Sequence, residues 1–328
     1  MIENYNEKVC TVVVTYNRKN LLLECLDALL KQTRSTDAIC LIDNASTDGT
    51  PELLKENKYI DKLPDYKLTR PIEESCFICL KGSTHKTIPF YYVRMPENTG
   101  GAGGFYEGIK RAYEKGYDWL WLMDDDVEPL PDGLKNLLSY SRLSKCIQPS
   151  RCLPDGKRFP WGNIITKAGK LIPINNNLFL DKSYIEVSTG CFEGMFIHKD
   201  IIAKIGFPMK ELFMVGDDTL YGWMAYKHTK LIYIKDFCLK KKIEPKKAKN
   251  PLTEYLFFRN NYLLLKLFTG NSNIARIKYL FFVIKKFISR LVKYRSKSLA
   301  YAVFKGYLDA IRNDFSNNYL KKLLLNKN

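Results

Sequence analysis

Trp119-Leu120-Trp121-Leu122-Met123-Asp124-Asp125-Asp126 decides the architecture. Five large apolar residues in a row, stopped by charge, are too few for a helix and lack a polar face. They predict a short strand buried on both sides, the kind that sits inside a parallel sheet covered by helices. The three carboxylates then stand at its carboxyl end, where open parallel sheets bind their ligands.

The surrounding chain repeats that grammar. Val9-Cys10-Thr11-Val12-Val13-Val14-Thr15 is a β-branched strand broken by Asn17 and Arg18. Leu21, Leu22, Cys25, Leu26, Leu29 and Leu30 follow at helical spacing. Ala38-Ile39-Cys40-Leu41-Ile42 predicts the next strand, ended by the turn and cap residues of Asp43-Asn44-Ala45-Ser46-Thr47-Asp48-Gly49, and Pro51 suits a first helical turn. Phe90-Tyr91-Tyr92-Val93-Arg94 predicts a third strand. Asn98-Thr99-Gly100-Gly101-Ala102-Gly103-Gly104 reads as a glycine-rich turn before a helix from about Phe105 to Lys115. The alternation implies an α/β, doubly wound sheet with right-handed crossovers. Thr15, Asp43, Asn98 and Asp124 all fall at strand ends, so one crevice is expected to collect them. Residues 60–89, with Pro64, Pro71, Gly82 and Pro89, read as an irregular insertion. It carries Cys76, Cys79 and His85, a weak zinc signal beside the plainer reading of two small residues packing a loop.

The chain has 328 residues and a net charge of +17, with 46% hydrophobic residues. That excludes a disordered chain and a small disulfide scaffold. The charge is localised: residues 1–234 hold 30 basic and 30 acidic side chains, whereas 275–328 hold 13 and 2. No 18-residue apolar run predicts a membrane span, and the amino terminus does not read as a signal peptide. Nine irregularly spaced Cys read as reduced thiols in a cytoplasmic protein.

Three adjacent carboxylates repel one another unless a cation neutralises them. Alternation along a strand puts Asp124 and Asp126 on one side, where they could share a hard divalent cation; a solvated N-cap run before Pro131 is the competing reading.

The segments 12–18, 41–50, 98–105 and the Asp triplet together resemble family 2 glycosyltransferases of the GT-A fold, over roughly residues 8–260. The wording of Asn98–Phe105 and Trp121–Asp126 most resembles galactofuranosyltransferases and rhamnosyltransferases of surface polysaccharide synthesis. The resemblance implies a Rossmann-like, mostly parallel central sheet flanked by helices. It implies a nucleotide-sugar donor held by Thr15, Tyr16, Asn17, Arg18, Asp43, Asn98, Gly100, Gly101, Gly103, Gly104, Asp124 and Asp125, with Asp43 accepting from the imide N–H of a uracil or thymine. It implies Mn2+ or Mg2+ on Asp124 and Asp126, bridging the diphosphate. Glu211-Leu212-Phe213-Met214-Val215-Gly216-Asp217-Asp218 resembles the family's late acidic pair. Its second member, Asp218, would be the base of an inverting transfer, with Asp217 orienting it or binding the acceptor sugar; an N-cap at either residue is compatible with that role. Gly194 and Met195, in Gly190–Ile197, match the segment that floors the acceptor site, and Trp161 could stack an acceptor ring, with an ordinary core Trp as the alternative.

The sequence departs from the family at two points. Leu220 stands where many relatives carry a third acid, and Lys240-Lys241-Lys242 stands where some supply a late His to the metal. Lysines could neutralise the diphosphate instead.

The chain is expected to divide into a catalytic domain, 1–250, and a helical basic region, 251–328. Tyr255–Tyr262 resembles a family helix. Beyond it, Ile277, Leu280, Ile284, Phe287 and Leu291 lie at helical spacing among Lys278, Lys285, Lys286, Arg290 and Lys293. A basic helix with an apolar stripe can lie on an anionic membrane surface; packing on the body or a homo-oligomer contact is the alternative. The expected enzyme is peripheral at the inner face of the cell membrane and acts on a lipid-linked saccharide acceptor. The best reading of the donor is UDP-galactofuranose, with dTDP-rhamnose as the alternative. A nucleic-acid-binding protein using the basic tail lacks any recognition motif and leaves the Asp triplet unexplained, so no nucleic acid is expected. A nucleotidyltransferase would need a glycine-rich basic loop at the amino terminus.

Overall fold

The computed structural model describes residues 7–80, 86–159, 163–166, 168–174, 182–243 and 249–325. Its strands are β1 (Val9–Thr15), β2 (Ala38–Asp43), β3 (Ile72–Cys79), β4 (Thr87–Arg94), β5 (Trp119–Asp124), β6 (Val127–Pro129), β7 (Cys146–Cys152), β8 (Asn163–Ile165), β9 (Leu171–Pro173), β10 (Tyr184–Glu186), β11 (Phe196–His198) and β12 (Leu231–Lys241). Its helices are α1 (Lys19–Leu29), α2 (Thr50–Glu56), α3 (Gly100–Glu114), α4 (Gly133–Ser139), α5 (Lys199–Ile205), α6 (Asp217–Tyr226), α7 (Pro251–Phe268), α8 (Asn273–Val292), α9 (Lys297–Ile311) and α10 (Asn318–Leu325).

One mixed sheet runs β10-β12-β7-β11-β5-β1-β2-β4-β3, with β6 paired to β12. Its centre, β5-β1-β2-β4, is parallel. β2 and β4 extend to one side of β1 and β5 to the other, so the strand order reverses at β1 and a crevice opens beyond the strand ends there. The register aligns those ends: Thr15 lies beside Asp43, and Val14 beside Asp124. The strands are buried on both faces, as their unbroken apolar runs predict. Val13, Leu41 and Trp121 pack with Leu22 and Leu26 of α1 on one side. Val12, Ile42 and Leu122 pack with Phe105 and Ile109 of α3 on the other.

Two local expectations are corrected. The glycine-rich segment is the first part of α3, which starts at Gly100 rather than near Phe105. Helix propensity argued against this, but tertiary packing requires glycines there. A Cβ on Gly104 would come within 2.5 Å of Val14 Cγ1, so the bare backbone lets α3 lie directly on β1. Residues 60–89 are not wholly irregular, since β3 forms an antiparallel edge to β4. Cys76 and Cys79 lie on that strand three residues apart, which turns them to opposite faces. Cys76 Sγ meets the Tyr59 carbonyl and Cys79 is exposed, so the pair does not converge on a zinc; His85 lies outside the described residues.

The carboxyl-terminal helices pack on one another and on the body. Asn250 and Thr253 form a capping box at the start of α7. A buried bidentate pair, Glu254 with Arg290 at 3.0 Å twice, ties α7 to α8. Of the stripe expected on α8, Ile277, Leu280, Ile284 and Leu291 are exposed and Phe287 is half-buried against the Phe304 ring of α9; Ile274, Phe281 and Ile288 widen the exposed row. Among the described residues no helix is long and apolar enough to cross a membrane.

Candidate active site

A cavity of about 510 Å³ opens where β1 and β5 end. β1 and the turn after it contribute Val14, Thr15, Tyr16 and Arg18; the end of β5 contributes Asp124, Asp125 and Asp126. Asn44, Asn98, Gly100 and Gly101 line one side; Arg151, Phe159, Cys191, Phe192, Glu193 and Lys241 line another. Phe213, Met214, Asp217 and Asp218 close it. The triplet and the late acidic pair, far apart in sequence, therefore face one hollow.

The three aspartates do different work. Asp125 is buried and turns back into the protein. It accepts from Thr15 Oγ1 at 2.7 Å and from the Tyr16 N–H at 3.3 Å, and pairs with Arg18 at 3.0 Å. Arg18 bridges on to Asp126 at 3.0 Å. Asp124 and Asp126 lie on the other side with Glu193, each offering an oxygen within 4.8 Å of the others. Among the described residues Asp126 Oδ1 is buried without a hydrogen-bond donor; Lys241 Nζ lies 3.9 Å away. Glu193 pairs with both Arg151 and Lys241. Burial, then the neighbouring Asp126 and Asp125 charges, push Asp124 up to about 7. Burial likewise lifts Asp125 to about 6 against the opposing pull of Arg18, and lowers Lys241. Three carboxylate oxygens close together, one without a donor, are a donor set that fits a hard divalent cation.

Asp217 and Asp218 are the first residues of α6, and Gly216, at φ +85°, is the N-cap residue. Neither aspartate caps the helix, which corrects that alternative. The Thr219 N–H and hydroxyl both donate to Asp218 Oδ1, at 2.6 and 3.2 Å. A helix start favours ionised carboxylates, yet burial outweighs it: both pKa values are raised, and for Asp217 the charge of Asp218 adds to the effect.

Several expected site residues are not on the cavity wall. Asp43 is fully buried and engaged by Arg94, by the Tyr92 hydroxyl at 2.8 Å and by the Ser46 N–H at 2.8 Å. Its carboxylate is satisfied inside the protein rather than open to a base. Asn17 turns away to the Thr47 N–H, which donates to its Oδ1 at 2.6 Å. Gly103 and Gly104 face Thr99 and Val14. Gly194, at φ +102°, backs onto Leu239 and Pro149, and Met195 is in the core; their neighbours Cys191, Phe192 and Glu193 reach the cavity instead. Trp161 lies outside the described residues. Glu193, Arg151 and Phe159 were not anticipated. The one legible signal was a charge inside the apolar run Cys191-Phe192-Glu193-Gly194-Met195-Phe196. Of the three lysines at the end of β12, Lys241 turns inward, while Lys242 reaches out to Glu24 and Glu128 at 2.7 Å each.

The sequence profile described as Glycosyl transferase family 2 matches residues 10–70 and 78–206. The chain is similar to Galactofuranosyltransferase GlfT1 of Mycolicibacterium smegmatis, 28% identical over 234 residues, covering 65% of this chain and 64% of that protein. It is 26% identical to the GlfT1 of Mycobacterium tuberculosis over 65% of this chain and 62% of that one. A third relative is Undecaprenyl-phosphate mannosyltransferase of Micrococcus luteus, 29% identical over 51% of this chain and 58% of the relative. The match thus spans less than two thirds of the length of these curated relatives. The crystal structure of S. aureus TarS 1–349 in complex with UDP superposes with a TM-score of 0.53 at 16% identity, covering 81% of this chain and 66% of that one. That of GalNAc-T7 with UDP, GalNAc and Mn2+ gives 0.52 at 15%, covering 78% and 48%. These likenesses carry the fold, a GT-A arrangement of mostly parallel strands flanked by helices. With more than half of its residues matched by the profile, and with the strand-end acidic cavity the fold requires, the chain belongs to glycosyl transferase family 2.

Proposed function

We propose that this glycosyltransferase moves galactofuranose from UDP-galactofuranose, with inversion, to a lipid-linked glycan acceptor in surface polysaccharide synthesis. The observation that carries the reading is the pairing of two acidic groups on one cavity: Asp124–Asp126 at the end of β5 and Asp217–Asp218 at the start of α6. The galactofuranosyltransferase relatives support the choice of sugar, and the UDP bound to TarS and GalNAc-T7 supports a uridine nucleotide.

Asp218 takes the proton of the acceptor hydroxyl as that oxygen attacks the anomeric carbon and the nucleoside diphosphate leaves from the opposite face. Its raised pKa suits this task, because a carboxylate that holds a proton more tightly is a stronger base. Asp217 stands beside it and orients the acceptor. Thr15, Tyr16, Asn98, Gly100 and Gly101 hold the nucleotide side, while Arg18 and Lys241 meet the diphosphate oxygens. Asp124, Asp126 and Glu193 would hold Mn2+ or Mg2+, which supplies Lewis-acid stabilisation of the departing diphosphate.

Residues 1–250 act as the catalytic unit and 251–328 as a helical platform that rests on an anionic leaflet at the inner face of the cell membrane. Support comes from the exposed apolar row of α8, edged by Lys278 and Lys285, and from the 13 basic against 2 acidic side chains of 275–328. The same excess repels a second copy placed face to face. The donor assignment is tested by UDP or dTDP release from a panel of nucleotide sugars. Turnover of UDP-galactofuranose should exceed that of UDP-galactopyranose, UDP-N-acetylglucosamine and dTDP-rhamnose by more than about tenfold, the discrimination a hydrogen-bonding pocket provides; faster turnover of another donor overturns it.

A further inference from the structure

The backbone leading into α6 is strained. Phe213, at φ +65° and ψ −60°, is the centre of a γ-turn closed by the Met214 N–H donating to the Leu212 carbonyl at 2.8 Å. Val215 at φ +71° and Gly216 at φ +85° follow. Backbone of this kind persists only where its surroundings over-determine it. From one side α3 does so: the Ala102 N–H donates to the Phe213 carbonyl at 3.0 Å, and Gly100 is needed because a Cβ there would sit 2.1 Å from that oxygen.

From the other side the constraint is two polar side chains of α7, Arg259 and Asn260, both fully buried. Asn260 Nδ2 donates to the carbonyls of Leu212, Met214 and Val215 at 3.0, 2.9 and 2.9 Å. Arg259 Nη2 donates to the carbonyls of Glu211 and Leu212 at 3.0 and 3.1 Å. Arg259 Nε donates to Asn260 Oδ1 at 2.9 Å, which fixes the amide with its NH2 toward the turn. Packing alone would be served by apolar residues without the cost of desolvating a guanidinium. Here, apart from Arg259 Nε and from Nη1, which donates to Asn317 Oδ1 at 2.6 Å, the donors converge on a single turn whose Phe213 and Met214 line the cavity and whose next residues are Asp217 and Asp218.

We propose that Arg259 and Asn260 are positioning residues: from α7 they hold the 212–216 turn in its strained form and so set where the Asp217–Asp218 pair stands in the cavity. The inference rests on the reading of Asp218 as the base. It makes the carboxyl-terminal helices part of the catalytic apparatus.

The test uses the full chain with Asn260→Asp, which keeps the shape and the contact with Arg259 but replaces the NH2, whose two hydrogens are shared among three carbonyls, by an acceptor. Asn260→Ser serves if that variant does not fold. Asn261→Ala, one residue along α7 on an exposed amide, is the control. Three readouts are taken: amide hydrogen exchange across 212–218, UDP affinity by calorimetry, and kcat for UDP release from UDP-galactofuranose. Asn260→Asp should speed exchange at 212–218 at least tenfold and lower kcat at least a hundredfold, with UDP affinity within threefold and the control unchanged. Unchanged exchange at 212–218 overturns the proposal, as does faster exchange spread over the whole chain, the mark of a purely structural role. Asp218→Asn separates the two readings. If it transfers normally while Asn260→Asp is impaired, the base assignment fails and the positioning role stands. If it is inactive while Asn260→Asp keeps full kcat, the positioning role fails and the base stands.

Discussion

At position 218 a carboxylate sits at a helix start, where the backbone favours its charge, and inside a cavity, where burial opposes it; burial prevails. At position 125 burial prevails as well, but there the acid is held by Arg18, Thr15 and a backbone N–H, so its hydrogen-bonding capacity is spent within the protein. These environments separate the acids of the site into structural and reactive ones. Asp218→Asn keeps the shape and the donor contacts of the cavity but removes the proton acceptor. Its kcat should fall by about 10²–10⁴-fold, the usual worth of a general base, while UDP affinity by calorimetry changes by less than about threefold, since the diphosphate side is untouched. Equal losses in both would place residue 218 in binding rather than in proton transfer.

Among the elements, α3 and α8 show how a pattern can be right in period and wrong in partner. The glycines of α3 were legible as a special segment, but their role, close approach to β1 and to the Phe213 carbonyl, depends on neighbours no local pattern names. On α8 the helical period and most of the exposed stripe were legible, with Ile277, Leu280, Ile284 and Leu291 exposed; that α9 half-covers Phe287 and that Val283 and Arg290 face inward was not, because α7 and α9 choose which side is covered. The face left open is apolar, with Phe281 67% and Ile284 45% exposed. Replacing both by Glu should reduce flotation with vesicles rich in anionic lipid by at least about tenfold, since two acids replace buried apolar area and oppose the surface charge. The melting temperature should hold, because neither side chain is packed. Undiminished flotation would discard the membrane platform.

For the whole molecule, the acidic cavity couples stability to pH and to cations. Asp124 is lifted to about 7 in the folded protein, whereas in the unfolded chain it titrates near 4. Below about 4 the group is protonated in both states and carries no penalty. As pH rises toward 7 the unfolded state gains by ionising while the folded state does not, so stability drains across that window and levels off above it. Asp124→Asn, which cannot ionise, should therefore become more stable than the unmodified protein as pH rises, by up to about 1.4 kcal/mol per pH unit, less what water in the cavity screens. Urea unfolding at pH 5, 6, 7 and 8 measures it. Millimolar Mn2+ should raise the melting temperature of the unmodified protein more than that of the variant, and equal shifts would remove Asp124 from the cation site. The parallel core and the strand-end position of the Asp triplet were legible along the chain because strands buried on both faces are continuously apolar and stop where charge begins, and the family was legible in its four ordered motifs. Packing in three dimensions brought the Arg94 charge and the Tyr92 hydroxyl to Asp43, Glu193, Arg151 and Lys241 to the cavity, and the Arg259 and Asn260 donors to the turn before Asp217. Those outcomes depend on which distant side chains meet in three dimensions, and a charge or amide does not announce its partner along the chain.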